Sequence, residues 1–198
     1  MQTLGLSSEP RRSDGRLKSL LWPTVENAWD VDYLGQQGMW ICTLVAVASL
    51  LQTAFTGNAL LIGIGVLSAL FYLVGGMGVR QGNWPAAAMI FALYSLDILA
   101  QAAQFQFPSI IRIAIALVLL SNLRATFLAS EWRPAAEDED RPTRFNETLA
   151  DKFVDQLPPR CWPVLQIPFI VLGVAMLLLT LVGLGLIFAN RFGSLPHK

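Results

Sequence analysis

Asp97, Gln101, Gln104 and Arg112 are the residues of this chain whose types and spacing could do chemistry inside an apolar environment. A carboxylate followed by carboxamides four and seven residues later puts all three groups on one face of a helix, with Tyr94 three residues earlier close to that face. Asp97 lies about 18 Å along an apolar helix by its rise per residue, where an ionised carboxylate is costly and faces either a partner or a water-filled cavity. Arg112 is the expected partner. The short connection Gln106-Phe107-Pro108 forces the flanking helices antiparallel, which brings a long side chain at 112 opposite positions 101 to 97. One role for such a pair is to fix helix register, and the other is to relay a proton or an ion. With a single carboxylate and no second titrating group on a neighbouring span, the structural pair is the expectation.

No familiar catalytic template accompanies this cluster. The one histidine, His197, is penultimate in the chain, which excludes an internal Ser-His-Asp or Cys-His site and the HExxH zinc motif. There is no Gly-rich phosphate loop and no Gly-x-Ser-x-Gly elbow. No catalytic, cofactor-binding or metal-ligating residue is therefore expected, no cofactor is implied, and the chain reads as non-enzymatic. Cys42 and Cys161 are too few and too far apart for a disulfide framework or a zinc cluster.

The elements that position these residues follow from composition. Of 198 residues 54% are hydrophobic and only 14% charged, with mean hydropathy +0.51, whereas a soluble domain carries nearer a quarter charged residues. The expected fold is an all-α integral membrane protein. Fourteen basic and fourteen acidic residues give zero net charge, so nucleic acid is not an expected partner.

Residues 38 to 79 hold no charge, and as one helix they would be about twice the thickness of a bilayer's hydrocarbon core. The run must fold back at Thr56-Gly57-Asn58, where Gly closes one helix and Asn caps the next. The spacing predicts spans over 38–56 and 59–79. Arg80-Gln81-Gly82-Asn83-Trp84-Pro85 then starts a third span over 85–105, and a fourth follows over 108–129. A polar stretch over 130–163 precedes a fifth apolar run over 164–189 and a short tail over 190–198. These make a bundle of five transmembrane helices.

Lysine and arginine counts orient it. With the N-terminus inside, Arg11, Arg12, Arg16, Lys18, Arg80, Arg124, Arg133, Arg141, Arg144, Lys152 and Arg160 are cytoplasmic, and Arg112, Arg191 and Lys198 fall outside. The C-terminus is then outside, the expected membrane is the plasma membrane of a bacterium, and no cleaved leader is expected.

Two polar segments flank the spans. Residues 1–37 include Trp22, Trp29 and Tyr33 beside Glu26, Asp30 and Asp32, a mix that suits a linker with anchoring aromatics or a short helix at headgroup level. The second segment carries the solvated acidic run 137–140. Phe145, Leu149, Phe153 and Leu157 then follow at four-residue spacing, predicting an amphipathic helix over 143–157 that ends at Pro158-Pro159. This stripe is a candidate docking face, and packing beneath the bundle is its expected place. Its mixed charge argues against simple adsorption to anionic lipid. Asn146-Glu147-Thr148 matches a glycosylation acceptor but is expected to carry no glycan on a cytoplasmic helix.

Glycines and other small residues recur in the second and fifth spans, including Gly63, Gly65, Gly75, Gly76, Gly78, Gly173, Gly183 and Gly185, and are expected to serve close helix packing within the bundle. The function these features suit is an accessory, assembly or interaction subunit of a membrane. Its expected partners are the lipid bilayer and either another membrane protein or a second copy of the chain. The alternative is a small transporter or channel built on Asp97 and Arg112.

Overall fold

In the computed structural model, which describes residues 21–25, 28–131 and 149–192, every regular element is helical. Five helices are long and apolar enough to cross a membrane. In chain order they are α1 (Ala28–Ala54), α2 (Ala59–Arg80), α3 (Trp84–Ala103), α4 (Ile110–Glu131) and α5 (Leu157–Phe192).

Local chemistry sets the reversals. Gly57 has φ +65, a backbone state that an L side chain resists, and Asn58 Oδ1 accepts from the amides of Leu60 and Leu61 to start α2. Gly82, at φ +68, does the same before Asn83, whose side chain accepts from the Ala86 amide to cap α3. The third reversal has no glycine. Phe105 takes φ +58 there, an unfavourable state for a bulky residue. Consecutive helices therefore run antiparallel, and α1, α3 and α5 begin at one end of the bundle, called here the near end.

The α1–α2 hairpin is the most closely packed pair, and small residues make that possible. A Cβ on Gly65 would lie 1.9 Å from Thr53 Oγ1, and one on Gly76 would lie 2.9 Å from Cys42 Cβ. Beyond the hairpin, α2 also meets α3 and α5, while α4 sits between α1 and α3. The interior is aromatic where α2, α3 and α5 converge. Phe71 stacks on Phe169 at 4.6 Å, Trp162 meets Phe169 edge-on at 5.6 Å, and Tyr72 meets Tyr94 at 6.5 Å. Gly75, Gly78 and Gly173 also face neighbours across helices, whereas a Cβ on Gly63, Gly183 or Gly185 would meet nothing within 4 Å. The small residues of the outer part of α5 thus do not serve packing within this bundle.

Two expectations about the ends of helices require correction. The polar segment before position 38 is not separate from the first span: from Ala28 it forms the opening turns of α1. The segment before the fifth span does not stop at Pro158-Pro159 either. Leu149–Asp151 leads through a π turn, Lys152–Gln156, directly into α5. In α-register the Pro158 ring would strike the carbonyl of Val154, and a wider π turn over Lys152–Gln156 is one way a helix accommodates a proline at that place. Pro163 and Pro168 are likewise held inside α5, as membrane helices allow when neighbours re-satisfy the freed carbonyls. Phe145, the acidic run 137–140 and Asn146-Glu147-Thr148 lie outside the described residues.

Candidate functional site

The Asp97 cluster stands at the far end of the α3–α4 pair. Asp97 is six residues from the end of α3 and Arg112 two residues into α4, so by helical rise they lie about 9 Å and about 3 Å from that end, a gap an arginine spans. Arg112 Nη1 donates to Asp97 Oδ2 at 3.0 Å, and Gln101 Nε2 donates to the same oxygen at 2.8 Å. The carboxylate side chain is 58% exposed and the guanidinium side chain 32%. The pair therefore lies on the outside of the hairpin. Gln104 is not part of it: it forms the C-cap of α3, its backbone amide bonded to the carbonyls of Gln101 and Ala102. Tyr94 is buried against Tyr72.

A second charged cluster, at the near end, escaped sequence reasoning. Arg80, the last residue of α2, directs one guanidinium nitrogen to Asp32 of α1 at 2.5 Å and the other to Asp155 of the π turn at 2.8 Å. Nη1 also donates to the Asp32 carbonyl at 3.3 Å. The arginine side chain is only 12% exposed and that of Asp155 16%, while that of Asp32 is 36% exposed, so the clamp joins three elements with its Arg80–Asp155 half largely desolvated. One signal for it exists in sequence: Asp32, Arg80 and Asp155 each stand where the chain passes into or out of an apolar run. Antiparallel order then puts them at one level.

Close to the clamp, α4 turns a polar face inward. Ser121, Asn122 and Thr126 are buried; Asn122 Nδ2 donates to the Val118 carbonyl at 2.9 Å, and Thr126 Oγ1 donates to carbonyls one turn back. Gly38 makes room for this face, since a Cβ there would lie 2.7 Å from Asn122 Oδ1. Arg124 holds the pre-α1 segment by donating to the Pro23 carbonyl at 3.4 Å and lying 5.2 Å over the Trp22 ring.

The candidate docking stripe is divided by the π turn. Phe153 is half-buried, its ring 5.8 Å from that of Trp40, and Leu157 is half-buried, but Leu149 is 85% exposed. The fully buried positions are Val154 and Pro158, one residue further along. Among the described residues no three of His, Cys, Asp and Glu converge as a metal site would require. The chain matches no known protein family, no curated protein and no solved structure.

Proposed function

We propose that this chain is a non-enzymatic, multi-pass membrane protein serving as an accessory, assembly or interaction subunit. The observation that carries the reading is that the two charged clusters of the helical body are each closed by partners within the chain. Arg80 is clamped by Asp32 and Asp155, and Asp97 is held by Arg112 and Gln101 on the exterior of a hairpin. Charges paired in this way brace helices and set their register. The N-terminus and the 132–148 connection lie in the cytoplasm and the C-terminus outside, on the bias of lysine and arginine. The membrane is the plasma membrane of a bacterium, and the partner is another membrane protein or a second copy of the chain.

The test is flux. The full chain, reconstituted in liposomes under an imposed pH gradient, gives no proton or cation movement above protein-free vesicles. A pH-dependent flux lost in Asp97→Asn would overturn the accessory reading in favour of the transporter alternative. Cysteines placed at Pro10, Asp140 and Leu195 test the orientation: the first two are labelled from one side and the third from the other.

A further inference from the structure

The cations of this fold divide into two groups. Arg80, Arg112 and Arg124 each find a partner within the chain, whereas Lys152 and Arg160 make no ion pair or hydrogen bond among the described residues. These two cations line the same feature, a shallow pocket of about 250 Å³ completed by Phe153, Gln156 and Leu157 where the chain turns into α5. The pocket wall is mainly apolar, built from Phe153, Leu157 and the stems of Lys152, Gln156 and Arg160, and it carries two cationic side chains with no carboxylate among its lining residues. The π turn contributes to this. One neighbouring acid, Asp155, is directed inward onto Arg80.

The position fits a membrane surface. Trp40 and Trp84 are exposed toward the near end of the bundle, and Trp40 packs on Phe153 of the pocket. Tryptophans at one level mark the headgroup region, and the charge-free apolar run of α5 begins directly after Arg160. A phosphate diester suits such a wall, because arginine forks onto two phosphate oxygens and lysine supplies a point charge beside it. Basic recesses where helices leave the bilayer on the cytoplasmic side take anionic headgroups by this chemistry.

We propose that this pocket binds the phosphate of an anionic membrane phospholipid. Lys152 and Arg160 hold the phosphate oxygens and Gln156 donates beside them. Phe153 and Leu157 lie against the upper part of an acyl chain. The site is independent of the accessory reading, since either an interaction subunit or a transporter could carry it.

Purified full-length protein in neutral detergent is titrated separately with phosphatidylglycerol, phosphatidylcholine and inorganic phosphate, following retained lipid by native mass spectrometry and affinity by tryptophan fluorescence. Phosphatidylglycerol binds at least about tenfold more tightly than phosphatidylcholine. The double substitution Lys152→Gln/Arg160→Gln weakens phosphatidylglycerol by roughly thirtyfold, about fivefold for each cation, and leaves phosphatidylcholine unchanged. Lys152→Arg keeps most of the affinity. Both side chains are exposed, so melting without lipid is unaltered. If the double variant nonetheless melts early, Gln156→Glu, which sets a repelling carboxylate in the pocket and removes no cation, lowers phosphatidylglycerol affinity in its place. The proposal is overturned by equal affinity for the two lipids, or by a double variant (or Gln156→Glu) within twofold of the native chain. Saturation by inorganic phosphate at the concentration at which the lipid saturates also overturns it, by making the ligand a soluble phosphate.

Discussion

Arg80 and Asp155 are 75 positions apart in the chain and 2.8 Å apart in space, and their contact ties the end of α2 to the turn that launches α5. Asp32 closes the same guanidinium from α1. Because the arginine is largely desolvated, its loss leaves two carboxylates facing each other with no countercharge. Arg80→Gln is expected to destabilise the protein by about 3–5 kcal/mol, and Asp155→Asn by less, since Asp32 remains. Thermal unfolding in detergent of the two single variants and the double variant measures this. A coupling energy near zero would show that the contact contributes nothing.

The pair at the far end behaves differently because it is more exposed. The Asp97 side chain is 58% and the Arg112 side chain 32% uncovered by protein, and on the outside of a spanning hairpin that surface meets lipid or detergent, so each charge depends on the other for neutralisation. A double-mutant cycle on Asp97→Asn and Arg112→Gln is expected to give a favourable coupling of about 1–2 kcal/mol in detergent that raised salt does not remove, each single variant losing more stability than the double. A coupling near zero, or one abolished by salt, would contradict a pairing within the spanning length of the hairpin.

Gly78 is a point of close approach between α2, α3 and α5. A Cβ there would lie 2.5 Å from the Trp162 ring and 2.7 Å from Ala86 Cβ, and neither neighbour is the end of a flexible side chain. Gly78→Ala is expected to cost about 1–3 kcal/mol through overpacking, despite the better helix propensity of alanine. Gly183→Ala, with nothing within 4 Å, is expected to leave bundle stability unchanged. Melting temperatures of the two variants separate these outcomes.

The segment leading into α5 offers a comparison of neighbouring faces. Val154 is 1% exposed and Leu149 85% exposed. Val154→Asp buries a carboxylate and should prevent stable folding or lower the yield of monodisperse protein severely. Leu149→Asp should shift stability by no more than about 0.5 kcal/mol. Size-exclusion profiles and melting curves decide, and equal sensitivity at both positions would mean that the segment packs on the face the four-residue stripe suggests.

Much of this architecture is determined locally. Five apolar runs, the reversals at Gly57 and Gly82, and the caps at Asn58 and Asn83 depend on hydropathy and turn chemistry within a few residues. The meeting of Asp97 and Arg112 is nearly local too, because one short connection sets the level of both. What only the tertiary structure decided is how each helix is rotated and which distant charges meet. The stripe Leu149, Phe153, Leu157 differs from the buried set Val154, Pro158, Trp162 by one residue, or about 100° around a helix. The π turn before Pro158 supplies an offset of that kind. That same rotation aims Asp155 at Arg80 and leaves Lys152 and Arg160 outward. Periodicity specifies that a segment has an apolar face, but the angle at which that face meets its neighbours depends on side chains contributed from elsewhere in the chain, and only their packing selects it.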